Sequence, residues 1–182
     1  MENVLSWVVR RTRLPLLTLP CVDCPSGHAT VGDGRFRVTD NGKLLAVRLV
    51  ISCVGCGRPG KLAVHERVPI RSLPAGRLAG YSAGVPALVA DTLFDPLFAR
   101  RHRFALDWEG CWELRAPAVP GDSWPLRVTV TFEDPVPVRP EQLIAQALGM
   151  SRGEIAHRVR SDAPLNRRTR SGFSFVLTEP VP

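Results

Sequence analysis

Four of the five cysteines fall into two identical frames, Cys21-Val22-Asp23-Cys24 and Cys53-Val54-Gly55-Cys56. A C-x-x-C turn presents two thiolates to one point with little strain. Two such turns can converge on a tetrahedral four-sulfur site, a donor set that suits Zn²⁺. Four thiolates leave no position for a reactive water, so Cys21, Cys24, Cys53 and Cys56 are expected to hold a structural zinc. Two other readings of the frames stay open: reduced thiols without metal, and a redox dithiol. The redox reading needs only one pair, usually at the start of a helix. His28 could replace one cysteine as a ligand. Cys111, between Gly110 and Trp112, is expected to be a buried core thiol.

Outside the cysteines no catalytic constellation stands out, and no catalytic residue is assigned. The chain has no H-E-x-x-H frame; Gly55–Lys61 fits G-x-x-x-x-G-K but is followed by Leu62 rather than Ser or Thr, and Gly80–Gly84 fits G-x-S-x-G but lies in a stretch of helical spacing rather than at a strand-to-helix turn. His65 beside Glu66 reads as a surface pair, and Asp107, Glu109 and Glu113 as a solvated sheet face. Arg100 to Arg103 reads as a positively charged helix end that suits the helix dipole. An enzyme with a pocket in residues 72–134 is the less favoured alternative.

The elements that must position the thiols are mostly strands. Residues 4–19 alternate and carry Pro15, which points to an extended lead-in. Arg35–Thr39 alternates, Asp40-Asn41-Gly42-Lys43 signals a tight hairpin turn, and Leu44–Ile51 is rich in β-formers. This predicts a knuckle, a hairpin that brings the ends together, and a second knuckle, with a further strand near 63–70. From Ser72 the spacing turns helical, and Gly80 and Gly84 divide it into two short helices. Phe104–Leu114 and Leu126–Phe132 read as strands. Asp134-Pro-Val-Pro-Val138 reads as a stiff linker between domains at 1–134 and 139–178.

Beyond that linker the charge reverses. Residues 139–171 hold seven Arg against three acids. Pro140 at a helix start and Gly149 at its end frame one helix, 140–148. Ser151 and Glu154 form a capping box that opens a second, 152–160. Gly172–Leu177 reads as a closing strand.

The stretch from Arg139 to Val159 resembles an S4-type RNA-binding domain, carried by Arg139, Glu141, Ile144, Ser151, Arg152, Glu154 and Val159 in register. Pro140, Asp162 and a short Pro164-Leu165-Asn166 depart from that pattern. The resemblance implies contact with structured RNA or the ribosome through Arg139, Ser151, Arg152, His157, Arg158, Arg160, Arg167, Arg168 and Arg170. The whole chain also resembles a bacterial family of unknown function. Trp7, Cys21/Cys24, Phe36-Arg37-Val38, Cys53/Cys56 and Ser151-Arg152 carry that likeness, which implies architecture but no activity.

Composition bounds these readings. The 182 residues are 45% hydrophobic and 23% charged, ample for a core and ordinary for a globular protein. No apolar run approaches the ~18 residues of a membrane span. The arginines of MENVLSWVVRRTR follow its apolar stretch, the wrong order for a secretory signal, so a cytoplasmic location is expected. In a reducing cytosol paired C-x-x-C frames read as metal ligands rather than as a disulfide framework. The net charge is +7, with 22 Arg and 2 Lys. GC-rich coding is the favoured explanation of the arginine bias, while the positive excess itself favours an anionic partner. The chain thus reads as α+β: a β-rich, zinc-ribbon-like body with short helices, then a small helix-helix-strand, S4-like subdomain. The function expected is non-enzymatic zinc and RNA binding. The alternative is a protein-interaction or regulatory adaptor with a structural zinc.

Overall fold

The computed structural model describes residues 4–119 and 124–179. The fold is mixed α+β with sheets dominating. It divides into two compact units: Leu14–Asp107, and Met1–Arg13 together with Trp108–Pro182.

The unit at 14–107 is built on one long strand. It contains β2 (Leu16–Thr18), β3 (His28–Thr30), β4 (Phe36–Asp40), β5 (Leu44–Cys53), β6 (Pro59–Pro69) and β7 (Ala105–Asp107). β5 alternates without a break, burying Leu45, Val47, Leu49, Ile51 and Cys53 and leaving the residues between them half-buried. One edge of β5 pairs with β6; the other pairs first with β4 and then with β3, which continues to β2 and β7. The β4–β5 turn forms as its sequence predicts. Gly42 takes φ +84°, and the Asn41 side chain accepts from the Lys43 and Leu44 N–H groups at 3.2 and 2.9 Å.

Three α-helices follow where two were expected: α1 (Ala75–Ala83), α2 (Pro86–Phe94) and α3 (Pro96–His102). Gly84, at φ +63°, closes α1, and Pro86 opens α2. The extra break comes at Asp95-Pro96. The Asp95 carboxylate accepts from the Leu97 N–H at 2.9 Å, and Pro96 opens α3. Val89, Leu93 and Phe98 pack with Leu17, Leu49, Ile51 and Phe104 in one cluster. Tyr81 packs with Leu45 and Val47 in another.

The second unit contains β1 (Val4–Arg11), β8 (Trp112–Arg115), β9 (Leu126–Phe132), α4 (Pro140–Leu148), α5 (Arg152–Arg158), β10 (Val159–Ser161) and β11 (Phe173–Leu177). Its sheet runs β10-β11-β9-β1-β8, with β1 and β9 parallel and the other neighbours antiparallel. Trp7 and Val9 of β1, alternate residues of β9, and Phe173, Phe175 and Leu177 of β11 are buried, with Leu143, Ile144 and Ile155 from the helices.

The expected boundary between 134 and 139 is not where the chain divides. β11 lies against β9 over Phe173–Leu177, and β9 lies against β1, so the C-terminal helices and strands share a sheet with the N-terminal strand. β9 has a partner strand on each edge, and it finds them at opposite ends of the chain. The stretch 104–114 is likewise two strands rather than one. β7 pairs with β2 inside the 14–107 unit and β8 pairs with β1 in the other, with Gly110 at φ +63° between them. α5 stops at Arg158, two residues early, because Val159–Ser161 pairs with β11. Cys111 is buried, as expected, whereas Trp112 is only half-buried.

Candidate metal centre

The two cysteine frames occupy the tips of two neighbouring hairpins. β2 and β3 pair antiparallel, and the chain between them is closed by Leu19 N–H to Gly27 O at 2.9 Å and Cys21 N–H to Ser26 O at 3.0 Å. β5 and β6 pair antiparallel, and Cys53 N–H donates to Arg58 O at 2.9 Å across the second tip. The tips are brought together by pairing between hairpins. Ala29 stands opposite Cys53, and Val54 N–H donates to His28 O at 3.0 Å. The β4–β5 hairpin, expected to join the frames, instead holds the other stretch of β5.

This places the Sγ atoms of Cys21, Cys24, Cys53 and Cys56 within 4.8 Å of one another. The nearest pairs join the two frames: Cys24 to Cys53 at 3.5 Å and Cys21 to Cys56 at 3.7 Å. A tetrahedron with metal–sulfur bonds of about 2.3 Å has sulfur–sulfur edges of about 3.8 Å. The four donors therefore match a metal ion at their centre. In each frame a backbone N–H two residues on points at the first sulfur: Asp23 to Cys21 at 3.4 Å and Gly55 to Cys53 at 3.3 Å. These bonds suit thiolates and orient them, as outer contacts do at metal sites.

The sulfurs are unequal. Cys53 ends the core face of β5 and is buried, whereas Cys56 is exposed. The Cys56 N–H, helped by the Cys24 thiol and against burial, pulls the Cys53 thiol down to about 6. Although the Ser26 N–H acts to lower it, Cys24 is pushed up to about 12 by hydrogen bonding to the Cys53 sulfur and by burial. Without metal the cluster thus concentrates negative charge on Cys53 while Cys24 keeps its proton. A metal must displace protons to bind, so its affinity falls with acidity. Arg58 is held charged by its ion pair with Asp23 and by the nearby Cys21 and Cys56 sulfurs. That pair joins the two frames and sets a cation beside a site that would carry net negative charge.

Gly55 has a steric role that its place in the sequence did not disclose. A methyl group there would lie 2.9 Å from Ser26 Cβ and 3.1 Å from Cys24 Sγ. Gly57 is needed for another reason, a φ of +72° with open space around it. Gly55→Ala is therefore expected to wedge the two tips apart and weaken metal retention on the order of tenfold or more. Titration of the loaded protein against a chromogenic chelator checks this; unchanged retention would refute it. His28 points elsewhere: its Nε2 lies 3.2 Å from the Asp107 carboxylate.

The residues expected to contact RNA lie in the other unit, and several are already engaged. Arg139 is half-buried at the N-cap of α4. Ser151 and Glu154 close a capping box: the Ser151 hydroxyl accepts from the Glu154 N–H at 3.3 Å, and the Glu154 carboxylate from the Ser151 N–H at 2.8 Å. The Ser151 backbone and side chain hold Glu154 below the usual carboxylate range. Arg152 faces Glu141 at 3.6 Å, and Arg158 faces Glu179 at 3.7 Å. Arg160 turns back onto the carbonyls of Ala156, His157 and Val159. His157 is exposed.

Arg167, Arg168 and Arg170 differ. They are exposed on the segment between β10 and β11, and among the described residues no carboxylate pairs with them. Their backbone is anchored by Glu141 N–H to Leu165 O at 3.0 Å and by two bonds between Thr169 and Val138, at 2.8 and 3.0 Å. The acids read as a solvated face are accounted for in part: Glu113 pairs with Arg10 and Arg115, and Asp107 with His28.

The family model described as a protein of unknown function (DUF1062) matches residues 38–166. The chain belongs to the DUF1062 family. The match takes in Cys53 and Cys56, all five α-helices and the strands from β5 to β10, while Trp7, Cys21 and Cys24 precede it. No curated protein and no solved structure matches the chain. What this DUF1062 chain does is therefore argued from its own residues. Among the described residues no helix is long and apolar enough to cross a membrane.

Proposed function

We propose that the chain is a non-enzymatic, zinc-stabilised binding protein, with a zinc-ribbon-like pair of hairpins and an arginine-bearing C-terminal segment that takes structured RNA. The convergence of four cysteine sulfurs on a tetrahedral spacing carries the first half. Thiolates select zinc among the common divalent ions, and a closed four-sulfur shell makes its role structural. What zinc supplies when bound is cross-linking of the two hairpin tips.

The RNA half rests on Arg167, Arg168 and Arg170, which are exposed, without an ion-pair partner among the described residues, and carried on a backbone-anchored segment, in a chain of net charge +7. Such residues meet phosphates rather than base edges, which gives little sequence preference and a strong dependence on salt. Replacing all three by Gln is expected to remove about three phosphate contacts, flattening the salt dependence and lowering affinity at low salt. Filter binding of a structured RNA at two salt concentrations measures both. Equal binding by the two proteins, or none even at low salt, would remove the RNA role.

A second reading, a protein-interaction adaptor with the same structural zinc, is favoured by one observation. Val22 and Val54, at the two cysteine tips, are 81% and 52% exposed. Exposed apolar side chains suit a protein partner better than phosphate.

A further inference from the structure

A cavity of about 270 Å³ lies between β6 and the three helices of the 14–107 unit, and its walls carry charge of both signs. His65 enters from β6, Arg77 and Tyr81 from α1, Asp91 from α2, and Arg101 from α3. The expectation that His65 is a surface partner of Glu66 gives way here. Its Nε2 lies 3.3 Å from the hydroxyl of Tyr81, a residue only 1% exposed. Arg77 Nε donates to the same hydroxyl at 3.2 Å. One buried hydroxyl thus holds the Arg77 guanidinium and the His65 ring side by side at the cavity wall. Burial, then the charges of Arg77 and Arg101, disfavour the imidazolium.

The backbone that delivers His65 is irregular on both sides. Val47 stands opposite His65, but Arg48 stands opposite Ala63 and Leu45 opposite Val68, so extra residues of β6 bulge out before and after it. Arg67, within the second bulge, has φ +50°. A non-glycine residue in the left-handed region is strained, and bulges re-aim side chains next to binding sites. Packing alone gives no reason to break the alternation of β6 here, because β5 opposite it alternates without interruption.

The charges around the cavity are not spent on one another. Among the described residues Arg77, Arg101 and Asp91 form no ion pair, although Asp91 is near enough to favour the charge on Arg77. Asp95, also on the wall, is occupied in capping α3. Two guanidinium groups near the same imidazole, with N–H bonds to spare, suit an oxyanion. The Asp91 carboxylate in the same lining suits a hydrogen-bond donor. The volume is at the small end for a ligand pocket.

We propose that this cavity binds a small oxyanion carrying a donor group, a hydroxylated or aminated phosphate or carboxylate, with Arg77 and Arg101 on the anion, Asp91 on the donor, and Tyr81 positioning His65 and Arg77. This site is independent of the metal centre and of the arginine segment at 167–170. The test uses the full, zinc-loaded chain titrated with inorganic phosphate, glycerol 3-phosphate and L-serine, against sodium chloride at matched ionic strength. The readouts are the His65 ring resonances and the thermal midpoint. At least one probe is expected to shift both saturably. Saturation by glycerol 3-phosphate but not serine would assign a phosphate ester, and the reverse an amino acid. Arg101→Gln, on an exposed helix position, is expected to weaken the binding tenfold or more without changing the melting of the free protein. Asp91→Asn should weaken the donor-bearing probes but spare inorganic phosphate. Absence of saturation by all three probes, or equal binding by wild type and Arg101→Gln, would overturn the proposal.

Discussion

Removing the metal, or replacing any one of Cys21, Cys24, Cys53 and Cys56 by Ser, is expected to cost the 14–107 unit most of its stability. The reason lies in where the cysteines sit. The two tips are joined by few backbone bonds: Ala29 and Thr30 pair with Cys53 and Ser52, and Val54 bonds to His28. A structural four-thiolate zinc is worth about 10–16 kcal/mol of apparent binding free energy near neutral pH, comparable to the whole stability of a domain. Each Ser variant keeps the size of the side chain but not the thiolate. Elemental analysis of chelator-free protein should return about one zinc per chain for the wild type and little for each variant, with a matching fall in thermal midpoint. Cys111→Ser is the control: that thiol lies in the other unit, buried, 3.3 Å from the Glu109 carbonyl. It should leave the zinc content unchanged. Acid provides a second handle. Protons compete with metal for the sulfurs, so zinc is retained at and above neutral pH and released as the pH falls. A metal-free protein that is well folded and melts like the wild type would refute the structural role.

In the other unit the largest effect is expected at Trp7. Its indole is fully buried on β1, between β9 and β8, and meets Phe175 of β11 edge-on at 5.2 Å between ring centres. Trp7→Ala should destabilise by about 3–5 kcal/mol, from lost apolar burial and the cavity left behind. Trp7→Phe should cost much less. The Trp7 N–H has no hydrogen-bond partner among the described residues, so the change gives up volume but no hydrogen bond and removes a buried polar group. Urea unfolding of the three proteins measures both differences. Equal losses for Ala and Phe would mean that the edge-on contact and the filled volume are not what Trp7 contributes.

These two expectations depend on different kinds of information. The four metal-centre cysteines could be read directly from the sequence, because a C-x-x-C frame is a local device: its turn fixes both thiols before any tertiary contact forms. The Asn41-Gly42 turn, the Ser151/Glu154 capping box and the starts of α2 and α4 at Pro86 and Pro140 were equally legible, since each is set by residues within four positions of one another. The run of β-formers from Leu44 announced β5, though not which face it would bury.

What joins these pieces was not local. β1 pairs with β9 more than a hundred residues away, and that pairing, with β11 on the far edge of β9, carries the C-terminal helices into the N-terminal strand's unit. Propensity and periodicity describe a strand but not its partner; the partner is decided by which edges and apolar faces remain to be covered when the chain collapses. For the same reason the stretch 104–114 passes from one unit to the other after Asp107, and the tips meet through β3 and β5 rather than through the Asn-Gly hairpin. Charge followed the same rule. Seven arginines in one stretch look alike in sequence, yet carboxylates and helix-end carbonyls brought near by the fold engage Arg152, Arg158 and Arg160, while Arg167, Arg168 and Arg170 stay exposed and find no carboxylate among the described residues. His65, one residue from Glu66 in the chain, was turned by two bulges toward Tyr81 instead. The sequence alone determined the metal donors, the turns and the helix starts, because short-range geometry determines them. The tertiary structure alone decided strand partners, the division into units, which charges are spent and what His65 faces, because those depend on residues far apart in the chain competing for the same neighbours.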